Sequence, residues 1–310
     1  MNDVLTITFP LFSLVLIGYL FGKTEVLSST NAKALNDYVY YIALPVLLFY
    51  QTAKTPLSEL LNYPFILAIL LSNLAILAIS FWAGKVFFKH STQVASVYAF
   101  SASFPNVGFM GIPLIFAAFG EQATVPTVLT LIIGNIVVLS LVVILLESGG
   151  KSVTSRYTII NHSLLSLLKN PVIMGAILGF LVAWQGITMP IAVNNLLQMI
   201  SQSTAPIALI AIGLSMIGLG VQIKLNELFS LVFLKLLIFP LVTFLLLSYL
   251  FEIKKEWAVP AILLSALPTG TLVYIICQQH DLYIKESSAV FLVTTLLSVI
   301  SIPLLLYIYL

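Results

Sequence analysis

The sequence predicts an all-α integral membrane protein, with ten transmembrane helices in two inverted five-helix repeats and breaks in helices 4 and 9. Three observations lead there. The composition cannot solvate a water-soluble surface, ten apolar segments have helix length, and proline and glycine landmarks recur in the second half at a near-constant offset.

The 310 residues are 60% hydrophobic and 8% charged, with a mean hydropathy of +1.12. Soluble domains carry about 25% charged residues. A chain this poor in charge has lipid as its natural solvent, and there each backbone polar group must find its partner inside the protein. Apolar runs of helix length then favour a bundle over a barrel. The formal net charge of +2 leaves no basic patch dense enough for nucleic acid. The single cysteine, Cys277, excludes an intramolecular disulfide framework and thiolate metal clusters. The first apolar stretch, 5–21, has no basic region before it and no convincing small-residue cleavage site, so it reads as a retained span.

A membrane helix needs about 20 mostly apolar residues. The segments 4–21, 36–52, 63–88, 93–118, 124–147, 169–186, 199–220, 227–250, 257–279 and 287–309 qualify and are numbered as spans 1 to 10. A short linker at 148–168 divides the chain into a first repeat, 1–147, and a second, 169–310. The loops after odd-numbered spans hold Lys23, Lys33, Lys85, Lys89, Lys151, Arg156, Lys169, Lys224 and Lys285, whereas the opposite loops hold only Lys54, Lys254 and Lys255. The positive-inside rule places the richer set, including the linker, in the cytoplasm and both termini outside.

Pro10 and Gly18 match Pro171 and Gly179 at offset 161, and Pro45 matches Pro206 at the same offset. Asn62 and Phe65 match Asn226 and Phe229 at offset 164, and Pro105 matches Pro268 at 163. Single matches between apolar sequences arise by chance, but a near-constant offset across four helices does not arise readily. An odd number of spans per repeat inverts the second repeat relative to the first. That architecture is recurrent among secondary transporters.

Spans 4 and 9 each carry proline and glycine near the centre. Pro105 and Pro268 remove an amide and clash with the preceding turn, and Gly108 and Gly270 free the backbone from helical angles. Ser101, Ser103, Asn106, Thr269 and Thr271 place polar groups at the same depth. Matched breaks favour discontinuous helices at a midplane site over simple proline kinks. A new half-helix begins after each break, and its free amides and partial positive charge suit an anion. The amides after Pro105 and Pro268, the Asn106 side-chain amide and the Thr269 hydroxyl are the expected donors.

Lys235 lies about ten residues into span 8, roughly 15 Å deep in a core of about 30 Å. It either supplies positive potential to a substrate carboxylate, binds carbonyls freed at a break, or snorkels to the cytoplasmic face. Gln51, at the end of span 2, either lines the cavity or sits at the interface. No Asp or Glu falls near the centre of a span; Asp37, Glu121 and Glu147 sit near ends or in loops. This argues against a cation–proton antiporter but leaves open sodium held by carbonyls and hydroxyls. His90, His162 and His280 fall in loops or at helix ends without metal-ligand spacing and read as solvated. Trp82, Trp184 and Trp257 fit interfacial belts. The absence of HExxH, GxSxG and paired acids speaks against an enzyme.

At the breaks the chain resembles the auxin efflux carrier family, which includes bacterial malate and malonate carriers and plant auxin carriers. FPNVGFMGIPL around Pro105 resembles the family's helix 4 signature, and the sequence from SALPTGTLVYIICQQ through the C-terminal span resembles its helices 9 and 10. IALPVLLF resembles helix 2, and the spacing in KLLIFP resembles helix 8. The resemblance covers essentially the whole chain. It implies a fold similar to bile-acid carriers and sodium–proton antiporters, with helices 4 and 9 crossed at the midplane. Helices 1, 2, 6 and 7 would form a homodimeric scaffold, and helices 3–5 and 8–10 a transport domain that moves like an elevator. The family's polar site maps onto Ser101 and Asn106 beside Pro105, and onto Pro268, Thr269 and Gly270. Plant members carry a longer central loop and an acid–base pair near the start of helix 3, where this chain has Asn62, Ser72 and Asn73.

The expected function is secondary transport of small organic anions, mono- or dicarboxylates, across the inner (plasma) membrane. Substrate-binding candidates are Ser101, Pro105, Asn106, Pro268, Thr269, Gly270, Lys235 and Gln51. Neither a bound organic cofactor nor a metal is implied. The coupling ion, proton or sodium, stays open. Competing readings are an aromatic acid carrier, a sodium-coupled symporter, a channel or a receptor. The topology gives a first test. A C-terminal fluorescent reporter that matures only in the cytoplasm should stay dark, while a C-terminal phosphatase active only outside should be active; a fluorescent fusion would reverse the assigned orientation.

Overall fold

The computed structural model describes residues 2–55, 62–148 and 170–309. Most of the linker, with Lys151, Arg156, His162 and Lys169, lies outside them, as do the side chains of Glu121 and Glu147. Among the described residues every extended regular element is helical, and the one β feature is an isolated bridge between Pro105 and Thr269.

The helices are α1 (Asn2–Lys23), α2 (Ser29–Tyr38), α3 (Leu44–Lys54), α4 (Tyr63–Val86), α5 (Thr92–Ser103), α6 (Ile112–Phe119), α7 (Thr124–Gly134), α8 (Ser140–Ser148), α9 (Pro171–Gln185), α10 (Ile191–Ser215), α11 (Leu225–Phe233), α12 (Phe239–Leu245), α13 (Lys255–Ser265), α14 (Thr271–Gln279) and α15 (Ile284–Tyr309). Several are segments of one longer helix joined by a widened π-helical turn. Such turns at Val39–Ala43, Val107–Gly111 and Leu234–Ile238 lie just ahead of Pro45, Pro113 and Pro240. Proline cannot donate to the preceding turn and its ring crowds the carbonyl four residues back, so the helix widens there instead of ending.

Among the described residues six helices are long and apolar enough to cross a membrane: Val4–Lys23, Tyr63–Val86, Thr124–Leu146, Ile191–Ser215, Leu225–Leu250 and Ile284–Tyr309. The remaining predicted spans are shorter, broken or more polar. Span 2 corresponds to α2 and α3, and α2 begins at Ser29, well before 36, because Ser28 donates its amide and hydroxyl to Asn31 Oδ1 at 2.8 and 2.9 Å. Hydropathy alone passes over such a polar helix start. In the same way α10 begins at Ile191, after Pro190, through a stretch that Asn194, Asn195 and Gln198 make too polar for the predicted span at 199. The bundle's outer surface is apolar, with Phe9, Tyr63, Met199, Leu225, Phe229 and Ile300 all at least 70% exposed, as a lipid-facing surface requires.

The chain divides into two compact units. Unit 1 comprises Met1–Asn62, Gly108–Leu129 and Ser166–Gly218. Inside it α1 packs along α10 and α3 along α9, and glycines set the spacing. A Cβ on Gly18 would collide with the Ile210 backbone, one on Gly213 with the Val15 carbonyl and one on Gly175 with the Pro45 carbonyl. Small residues are what allow membrane helices to approach backbone to backbone. Asn36 donates to Ser215, and Tyr38 pairs with Ser203 at 2.7 Å, tying α2 to α10.

Unit 2 comprises Tyr63–Val107, Thr130–Leu165 and Leu219–Leu310. Here α5 is the central element, in contact with α4, α8, α11, α14 and α15. Nine consecutive residues of α5, Ala95–Ser103, are buried, so this helix is enclosed on all sides. One apolar cluster packs Phe100 and Phe104 with Val138, Val142, Val273 and Ile276, and a second packs Tyr98 and Ala102 with Leu231, Leu234, Phe239 and Val290. His90 lies half-buried at the edge of this interior. It is not solvated as the sequence suggests, because its Nε2 pairs with Glu227 Oε1 at 2.6 Å. Trp82 and Trp184 are exposed, while Trp257 packs edge-on against Phe65.

The glycine contacts yield a prediction for unit 1. Gly175→Leu forces α3 and α9 apart, and detergent-purified protein should melt several degrees lower or fail to give a monodisperse elution peak, whereas Gly186→Leu, where no atom lies within 4 Å, costs only the strain of its left-handed φ of +62°.

Candidate functional site

The site grows from two interrupted helices in unit 2. The α5 helix ends at Ser103, and Phe104 turns extended at φ −110°, ψ 95°, because Pro105 disfavours helical angles in the residue before it. The α13 helix ends at Ser265, and the chain runs through Ala266, Leu267 and Pro268 to Gly270, which starts α14. Proline is thus the local cause of both breaks, as the sequence indicates.

The two extended stretches lie antiparallel and exchange backbone hydrogen bonds. Asn106 N–H donates to the Pro268 carbonyl at 2.9 Å, and Gly270 N–H donates to the Phe104 carbonyl at 2.9 Å. The Thr269 hydroxyl donates to the Ser101 carbonyl at 2.8 Å, and Thr269 N–H donates to Thr294 Oγ1 of α15 at 3.2 Å. Glycine is required at 270 by proximity and not by dihedral angle: a Cβ there would stand 2.9 Å from Phe104 Cδ1.

This pairing changes the donor assignment expected from sequence. The Asn106 and Gly270 amides and the Thr269 hydroxyl are spent on holding the two breaks together, and the Thr269 amide is taken by Thr294. Buried donors are paired wherever a partner is in reach, and each break supplies acceptors to the other. What remains is more selective. Asn106 is 4% exposed, and its side-chain Nδ2 has no partner among the described residues. The amides of Thr271 and Leu272, in the first turn of α14, likewise meet no acceptor there, whereas Val273 N–H returns to the Gly270 carbonyl. Ser101 is buried, and its hydroxyl donates back to the Val97 carbonyl at 2.9 Å.

Lys235 sits in the π-helical turn between α11 and α12 with no exposed surface, which excludes snorkelling. Its Nζ donates to the Ser265 carbonyl at 2.7 Å and lies 4.8 Å from the Phe239 ring centroid. Ser265 is the last residue of α13, so the lysine caps carbonyls left open where that helix stops. Of the roles open in the sequence, binding a freed carbonyl is the one this contact matches. Gln51 lies on α3 in unit 1, half-buried, and its carbonyl accepts from the Thr55 hydroxyl at 2.9 Å. Thr294 and Phe104 escaped sequence reasoning: a threonine inside an apolar helix and a phenylalanine before a proline carry no distinctive signal. Among the described residues no group of three His, Cys, Asp or Glu is placed to hold a metal ion.

Described residues that are all but entirely helical, with an apolar exterior and helices long and apolar enough to cross a bilayer, define a multi-pass membrane protein. The membrane transport protein family model matches residues 3–306, and the chain belongs to this family, the auxin efflux carriers. It is therefore a membrane transporter and not an enzyme. A Rhizobium meliloti (strain 1021) protein named "putative malonate transporter" is 28% identical over 307 residues, covering 99% of this chain and 96% of the relative. The Escherichia coli (strain K12) protein named uncharacterized transporter YfdV is 26% identical over 308 residues, covering 96% and 95%. The mouse lysosomal cholesterol signaling protein is 25% identical over 251 residues, covering 74% of this chain and 28% of that one.

The fit at Gly270 is testable without a substrate. Gly270→Ala must displace the Phe104 ring, and overpacking of this kind costs about 1–3 kcal/mol. At roughly 2–4 °C per kcal/mol for chains of about 200 residues, the melting temperature should drop by several degrees, and Gly270→Ala combined with Phe104→Leu should recover part of the loss.

Proposed function

We propose that the chain is a secondary transporter of small organic anions, mono- or dicarboxylates such as malate or malonate, working by elevator-like alternating access. The observation that carries this reading is the orphaned Asn106 Nδ2 beside the paired breaks. An unpaired buried donor costs about 1–3 kcal/mol, a cost relieved when a ligand accepts from it. The first amides of α14 offer a further pair of donors with a partial positive charge and no competing carboxylate. Donors without acceptors suit an anion. Ser101, Pro105, Pro268, Thr269 and Gly270 shape the site in this reading, Lys235 holds the end of α13 and adds positive potential, and Gln51 stays a binding candidate on the sequence alone. The name of the Rhizobium meliloti relative favours a dicarboxylate of malonate size.

The same reading takes the fold as ten spans in two inverted repeats and assembles the protein as a homodimer in the inner membrane with both termini outside. The landmark offsets support the repeats, and the matched positions of the two breaks support them further. The scaffold of spans 1, 2, 6 and 7 and the transport domain of spans 3–5 and 8–10 draw support from the two compact units. Unit 1 holds spans 1, 2, 6 and 7, and unit 2 holds spans 3 and 8–10; Gly108–Leu129 groups with unit 1.

Proteoliposomes loaded with malonate, malate, succinate or indole acetate give the test. Labelled acid should enter by saturable counterflow, with a dicarboxylate the best substrate. Asn106→Ala should raise the half-saturating concentration about tenfold or more, the loss of one hydrogen bond to a charged group. Folded protein that exchanges none of these acids, or an Asn106→Ala variant with unchanged affinity, would remove the reading.

A further inference from the structure

Away from the paired breaks, unit 2 holds a second, partly buried polar cluster that the transport site does not use. Glu227, in the first turn of α11, is 5% exposed. Its Oε1 accepts from His90 Nε2 at 2.6 Å and also from the Tyr283 hydroxyl. His90 lies in the turn between α4 and α5, and Tyr283 in the turn before α15. The imidazole stands among the rings of Phe88, Tyr98 and Tyr283, with centroids 5.8, 5.8 and 5.9 Å away. Tyr98 in turn pairs with Ser230 of α11 at 2.7 Å.

We propose that His90, Glu227 and Tyr283 form a proton-binding site, and that its occupancy makes substrate exchange depend on pH. This rests on the carrier reading only for its second half. Glu227 accepts from Nε2, so that nitrogen carries a hydrogen and Nδ1 is left to take up a further proton. The buried carboxylate is balanced by a cation only when it does. The added proton converts a net negative cluster into a neutral ion pair, and no covalent bond changes. Burial and the hydrogen bond to Glu227 push the Tyr283 phenol far above its ordinary range, so it remains a donor throughout.

The other charged groups nearby do not replace the imidazolium. Lys85 and Lys89 at the end of α4, Lys224 before α11 and Lys285 at the start of α15 are exposed, as is Asp281, and Glu286 adds negative potential at Tyr283. The cluster is linked to the transport site through shared helices. The cluster joins the starts of α5, α11 and α15, and these helices lead to Ser101 and Pro105, to Lys235 and to Thr294. The four lysines mark this as the face that the charge bias assigns to the cytoplasm.

The test uses the purified full chain as wild type, His90→Gln and Glu227→Gln, melted between about pH 6 and about pH 8, where imidazoles titrate. A folded state that holds a proton the unfolded chain has released loses stability as pH rises. Wild type should therefore lose a few degrees across the range and both variants should be flat; equal slopes in all three would overturn the site. If Glu227→Gln does not fold, the His90→Gln slope decides alone. Malonate exchange in proteoliposomes at the same symmetrical pH values is the second arm. A severalfold fall from about pH 6 to about pH 8 in wild type, absent in His90→Gln, supports the control of exchange, and an unchanged pH profile overturns it. Wild type that exchanges no acid tells against the carrier reading instead, and the melting curves still decide the proton site.

Discussion

In a lipid-facing bundle a helix can stop only where something else completes its backbone hydrogen bonds, and unit 2 depends on how that requirement is met. Water is not available to the carbonyls and amides that Pro105 and Pro268 release. Each break is completed by the other: Phe104 and Pro268 provide the acceptors, Asn106 and Gly270 the donors. The interaction is reciprocal, so neither interruption is stable in this form without its counterpart. This explains why both helices carry proline at the matching place, and why the residue facing Phe104 has no side chain.

The rest of the interior is arranged around that pairing. Lys235 Nζ meets the end of α13 at Ser265, where partial negative charge collects, and Thr294 reaches from α15 to the Thr269 amide. Thr269 closes the arrangement by returning its hydroxyl to the Ser101 carbonyl of α5. Four separate segments are therefore fixed by polar contacts at one depth, and apolar packing of Phe100, Phe104 and Val273 surrounds them. A low-dielectric surround strengthens such contacts and makes an unpaired donor conspicuous. Against this background the orphaned Asn106 amide is informative in a way that a solvated asparagine is not.

Membership of the auxin efflux carriers gives the arrangement its purpose, since a transporter needs polar groups that are buried yet available. The two polar centres of unit 2 differ in kind. At the paired breaks the spare groups are donors, which suits an anionic ligand. At the His90 cluster an acceptor, Glu227, is enclosed by two donors, and this suits a proton. Both centres share α5, α11 and α15.

Composition and hydropathy alone determined that this chain is a helical membrane protein, since too few charges and too many helix-length apolar runs leave no other solvent than lipid. Proline and glycine positions determined where spans 4 and 9 break, because these residues act on their own backbone and need no distant neighbour. Helix starts such as Ser28–Asn31 were less legible, being polar in a region read for hydropathy. Tertiary structure alone decided which donors stay free, since the partners of Thr269 lie on α5 and α15, far away in sequence. It also decided that Lys235 is enclosed instead of snorkelling and that His90 is paired with Glu227, 137 residues along the chain. A side chain's charge is written in the sequence, but the satisfaction of that charge depends on which distant segments fold against it.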